Sequence, residues 1–183
     1  DDTNYVSSQK LNTYTWPTRK IANAIVMKFD LSALPAGAVI QQATLNLAQV
    51  QRDAVADTYS VRAQKIVGIN PQIARATGTT ADGTIAWTSN LCCSNNVPLA
   101  QADLSVPYDV QLLTAAPGWK TWSITSMAQE WKSDPATNFG VLLNADALKP
   151  RDRYRFFAST ENTDPSLRPF LKVIFSADRI TAA

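Results

Sequence analysis

The chain has 183 residues, 17 of them Lys or Arg and 15 Asp or Glu, for a formal net charge of +2. So even a balance argues against a nucleic-acid platform, which gathers Lys and Arg on a strongly basic domain. Histidine is absent, which removes the commonest general base and metal ligand and every Ser–His or Cys–His pair.

A zinc site would have to be built from two cysteines and carboxylates alone, so no catalytic zinc is expected. No stretch approaches the about 20 apolar residues of a membrane span. Asp1, Asp2, Thr3 and Asn4 are polar, so no signal-like apolar run is expected in this stretch. The chain is therefore expected to be cytosolic, or secreted with its signal peptide removed.

Taken in chain order, the first distinctive segment is YTWPTRK at 14–20, a loop with aromatics Tyr14 and Trp16 and cations Arg19 and Lys20. Exposed, Trp16 is a stacking platform; buried, it plugs one end of the fold. Over 24–31, Ile25, Met27, Phe29 and Leu31 share one face, with Val26, Lys28 and Asp30 on the other, the period-two pattern of a half-buried strand. Pro35 and Gly37 break the chain. Over 43–50, Leu45 and Leu47 alternate with Thr44, Asn46 and Ala48.

Weaker strand patterns follow at 59–67, 84–88, 104–112, 119–124 and 139–144. Asp82 and Gly83 make a tight-turn pair before the second of these. A short helix is predicted over 126–132, with Ser126 as N-cap, Gln129 completing a capping box and Trp131 anchoring it to a sheet. Asp134–Pro135 and Asp164–Pro165 mark turns. In the last two strands, Tyr154, Phe156 and Ala158 oppose Arg153, Arg155 and Phe157, and Leu171, Val173 and Phe175 oppose Phe170, Lys172 and Ile174.

Roughly eight to ten strands, one helical turn and no βαβ alternation predict an all-β fold, a jelly-roll β-sandwich with one short helical turn. No repeat or linker divides residues 1–183, so a single β-sandwich domain is expected.

Three stretches, in this order and spacing, resemble one family. IVMKFDLSALPAGAVIQQATLNL (25–47) is similar to the opening signature of DNRLRE-type domains, relatives of the disaggregatase repeats that are grouped with carbohydrate-binding modules. WSITSMAQEW (122–131) followed by NFGVLL (138–143) resembles their helical turn and next strand. RFFASTE (155–161) followed by RPFLKV (168–173) resembles the closing signature. The likeness covers about residues 23–176; residues 70–83 lack the acidic, Trp-containing stretch of the pattern. It implies an extracellular jelly roll, often attached to polysaccharide-degrading enzymes or surface proteins. Phe29, Leu45, Leu47 and Leu171 are read as core, and Glu161 and Arg168 as an ion pair fastening the last loop.

Sugars are held by flat aromatic faces and a few directed polar groups, and acidic glycans add carboxylates that suit Arg. The candidate carbohydrate-binding residues are therefore Trp16, Arg19, Lys28, Arg62, Arg153, Arg155 and Lys172, together with Asn46 and Gln64 on polar strand faces. If their strands share a sheet, they form a basic stripe; otherwise they are ordinary solvated positions. Trp87, Trp119, Trp122 and Trp131 are read as core.

Adjacent Cys92 and Cys93 stand in three ways: a strained vicinal disulfide, free thiols, or bridges between chains. No spacing brings Asp30, Asp109, Glu130 or Glu161 into the facing pair that glycoside hydrolysis needs. No catalytic residue is assigned and no cofactor is expected beyond a structural calcium, which sandwich loops often hold.

Two functions remain. One is a non-catalytic extracellular carbohydrate-binding module, its partner a polysaccharide, of acidic kind if the basic stripe forms. The other is a self-assembling extracellular structural or adhesive subunit whose partners are copies of itself. In that case the stretch 3–14 and the tail 178–183 are the segments expected to reach a neighbour's sheet edge.

Overall fold

The computed structural model describes residues 3–15, 24–53, 57–88, 103–145 and 153–177. In chain order these form β1 (Lys10–Thr15), β2 (Ala24–Met27), β3 (Val39–Arg52), β4 (Tyr59–Ile66), β5 (Leu104–Leu113), β6 (Gly118–Ser123), α1 (Thr125–Ser133), β7 (Val141–Asn144), β8 (Arg153–Ala158) and β9 (Phe170–Ser176). Two antiparallel sheets and one helix result, the all-β sandwich expected from the alternating patterns. The first sheet runs β1-β8-β3-β6, and the second runs β2-β7-β4-β5.

β3 organises the first sheet because it is long, 14 residues. β9 pairs with its first half, from Val39 to Asn46, and β8 with its end, from Gln49 to Arg52. β6 takes the opposite edge from Thr44 to Gln49. Alternate residues of a strand face opposite sides, so Leu45 and Leu47 enter the core with Trp122, Phe157, Val61, Ala63, Val141 and Leu143, all fully buried. Phe29 and Leu171 pack against this cluster, as their patterns predict.

Three local expectations change. β2 ends at Met27 rather than Leu31, because Asp30 turns the chain by accepting the Ser32 N–H at 2.8 Å. Residues 84–88 form no strand. They belong to a loop that folds over the outer face of the second sheet, where Trp87, Ala81, Ile66, Leu104 and Leu142 make a second apolar cluster. Asp82 and Gly83 make the expected turn within it, with Asp82 Oδ1 accepting from the Ile85 N–H at 2.7 Å. A Cβ at Gly68 would stand 1.7 Å from Asp103 Oδ1, so the loop reaches the sheet only with glycine there.

The third change concerns the helix. Neither Ser126 nor Gln129 caps it, and its N-cap position, Ile124, makes no side-chain cap bond. Instead Thr125 Oγ1 accepts the Ala43 N–H at 3.0 Å, and Gln129 Oε1 accepts the Ile40 N–H at 2.7 Å. Those donors lie on the part of β3 that β6 does not reach, so α1 covers an otherwise open sheet edge. Trp131 buries as expected. Glu130 ties the helix to the second sheet, accepting from Lys65 and from the Tyr108 hydroxyl. Burial pushes the Glu130 carboxyl up, but these bonds and the Lys65 charge together hold it below its ordinary value. Tyr108 is pushed up to about 12, first by burial and then by Glu130.

The two long sides of the sandwich differ. On the β5/β6 side, Asp109 Oδ2 accepts the Ser123 N–H at 2.7 Å and stitches the sheets together. On the β1/β2 side a cleft of about 870 Å³ opens, lined by Tyr5, Val6, Asn12, Val26, Met27 and Phe156 among others. β1 itself was not among the expected strands. It pairs with β8 from Lys10 to Thr15, so much of the stretch expected to reach a neighbour is built into the chain's own sheet. The tail 178–183 lies outside the described residues.

Candidate functional site

The predicted basic stripe does not assemble. Lys28 follows β2 and Arg62 lies on β4, both in the second sheet, whereas Arg153, Arg155 and Lys172 belong to the first. Trp16, Arg19, Cys92 and Cys93 lie outside the described residues. Lys28 is exposed and donates to Asn70 Oδ1 at 3.2 Å. Arg153 pairs with Asp57 at 3.3 Å. Arg168 fastens the last loop through the Asn162 carbonyl, at 3.0 Å, rather than through Glu161.

Arg155 corrects the sequence reading most sharply. It is 0% exposed and faces the core with Phe157, whereas the polar-face reading puts it in solvent. Asn46 and Gln64 are buried too. The guanidinium sits 3.4 Å from Asp53 Oδ2, donates to the carbonyls of Thr114, Tyr154 and Asp57, and lies 5.0 Å from the centre of the Tyr59 ring. The Tyr59 hydroxyl reaches Thr13 at 2.9 Å, and burial drives its pKa well above the usual phenol range. A buried charge persists only when paired and hydrogen-bonded, and apart from the adjacent Tyr154 carbonyl the partners come from distant sequence, residues 53–59 and Thr114.

With Arg155 and Phe157 inward, their neighbours Tyr154 and Phe156 point outward. On β1, Thr13 and Thr15 are buried and Tyr14 faces out with Tyr154, its cross-strand partner. Tyr14 and Tyr154 stack with ring centres 5.1 Å apart, and Phe156 meets Tyr154 edge to face at 5.3 Å. Such pairs favour these two arrangements. The Arg155 network braces this row from below, since Asp53 Oδ2 also accepts the Tyr154 N–H at 3.0 Å.

A second pair stands on the same outer face. Trp119 of β6 is 43% exposed and Phe170 of β9 is 45% exposed, with ring centres 5.2 Å apart. Their cross-strand partners on β3, Ala48 and Asn46, are covered beneath them. Trp119 was expected in the core. Trp122 takes that place three residues later, and an odd spacing in a strand puts the two indoles on opposite faces.

The remaining outward positions of this sheet include Lys10, Asn12, Gln42, Thr44, Thr121, Ser123, Lys172 and Ile174. None of the outward positions paired across these strands is Asp or Glu. Among the described residues paired across these strands, the face therefore combines two aromatic clusters with two lysines and no carboxylate.

Among the described residues no three His, Cys, Asp or Glu side chains gather as a metal-holding set. No helix among them is long and apolar enough to cross a membrane. Comparison with protein-family models and with curated proteins finds no match, so the likeness to DNRLRE-type domains rests on the residues quoted for it.

Proposed function

We propose that the protein is a secreted, non-catalytic carbohydrate-binding module of jelly-roll form, and that it meets polysaccharide on the outer face of the first sheet. The observation that carries this reading is the outward aromatic surface made by the exposed pair Trp119 and Phe170 and the half-buried row Tyr14, Tyr154 and Phe156. Flat rings cover the apolar C–H face of a sugar, and the lysines and amides around them serve its polar rim and any acidic group.

Replacing Trp119 or Tyr154 by Ala is expected to weaken retention on a bound glycan by about tenfold each, the equivalent of about 1.4 kcal/mol. Affinity electrophoresis through a panel of neutral and acidic polysaccharides measures it, with thermal unfolding as the control for folding. Retention unchanged in both variants removes this face from the reading.

A second reading is favoured by the open side of the sandwich, where β1 and β2 each stand at the end of their sheet. A self-assembling extracellular subunit would add a neighbour's strand there. Sedimentation of the native protein tests it: filaments or large ordered species support assembly, and a monomer near 20.0 kDa counts against it.

A further inference from the structure

We infer that the outer face of the first sheet grips an internal stretch of an extended anionic polysaccharide at two points, rather than a chain end or a single sugar. The inference rests on the carbohydrate-binding reading and specifies its ligand.

The aromatic side chains do not form one patch. Phe170 pairs with Asn46 of β3, and Phe156 pairs with Gln51 on the same edge of that strand. A register shift between Gln49 and Gln51 absorbs one residue, which leaves four strand steps, about 13 Å, between the levels of Phe170 and Phe156, with Trp119 on the far edge of β3 at Ala48. That is longer than any single sugar ring. The clusters share the outer face of one sheet, so an extended chain can lie over both.

Each cluster also has its own cation. Lys172 lies two residues from Phe170 and therefore on the same face, exposed. Lys10 is exposed on β1 and donates to Gln51 Oε1 at 3.0 Å, at the level of Phe156. Ring plus ammonium is thus repeated twice, on a face whose paired outward positions hold no carboxylate. This charge complementarity selects an acidic chain over a neutral one.

Two weak contacts joined by one ligand act with a high effective concentration, and affinity then climbs by about 100-fold or more once the ligand spans both. Isothermal titration with length-fractionated oligogalacturonates and sulfated glycosaminoglycan oligomers reads this out, beside the neutral methyl esters of the former. The expected result is a steep gain in affinity at the spanning length, weak binding of the neutral esters, and loss of the gain in the Trp119→Ala/Phe170→Ala variant while short oligomers still bind at Tyr154. Affinity that stays flat with length overturns the two-point grip and leaves a single-site module standing. Equal binding of the neutral esters overturns the anionic preference. No binding of any oligomer removes the carbohydrate reading together with the inference.

Discussion

Arg155→Ala is expected to destabilise the fold by about 3–5 kcal/mol, the range for breaking one partner out of a buried ion pair. Total stabilities run to only about 5–15 kcal/mol, so this one change removes a large part of the whole. Truncation would leave the Asp53 carboxylate, itself 6% exposed, without its counter-charge. It would also strand the carbonyls of Thr114 and Asp57 that the guanidinium serves. Packing alone does not explain the expectation, and a second variant separates the two causes. Asp53→Leu/Arg155→Met removes both charges while keeping apolar volume, and should recover much of the loss, because an apolar replacement of a whole buried pair is often neutral or better. Denaturant unfolding measures both. A loss under about 1 kcal/mol for Arg155→Ala would place the pair at surface-like strength and sink the argument. Because the network also braces Tyr154 from below, a change in the proposed glycan retention by this variant would report folding first and recognition second.

The contrast between Arg155 and Leu45 shows where local pattern stops informing. In β3 the alternation has a single solution: Leu45 and Leu47 must point inward against Thr44 and Asn46, and they do. In β8 both faces carry rings, Tyr154 and Phe156 on one and Phe157 on the other, so period two names the faces without ranking them. The choice is made by Asp53, Asp57, Tyr59 and Thr114, which arrive from other elements. α1 follows the same logic. Ser126 and Gln129 have the spacing of a capping box, yet Gln129 serves a β3 amide 89 residues away, and Thr125 serves another. β1 carried a usable signal: Leu11, Thr13 and Thr15 alternate with Lys10, Asn12 and Tyr14, but with threonines on the buried side the pattern lacked apolar contrast. The aromatic face was half legible. Trp119 and Trp122 cannot both be inside one strand; that Trp119 meets Phe170 depends on β9 and β6 flanking β3 from opposite edges, which no local window contains.

Trp122→Ala is the second large effect expected, about 3–5 kcal/mol, the range for truncating a buried Trp. Trp122 is 0% exposed in the middle of the core, edge to face with Phe157 at 6.3 Å. It stands on β6 in the first sheet, while its indole N–H donates to the Val61 carbonyl on β4 of the second, at 3.0 Å. One side chain therefore fills the space between the sheets and bonds across it. Trp122→Phe distinguishes these roles, since it keeps a ring but removes the donor. A lost hydrogen bond contributes about 0.5–1.5 kcal/mol net, and the smaller ring leaves a modest void, so Phe should cost clearly less than Ala. Burial is the larger effect on this account and the cross-sheet bond the smaller one. Denaturant unfolding of both variants decides it. If Phe proves as damaging as Ala, the bond to Val61 rather than the bulk of the indole joins the two sheets, and the order of the two effects is reversed.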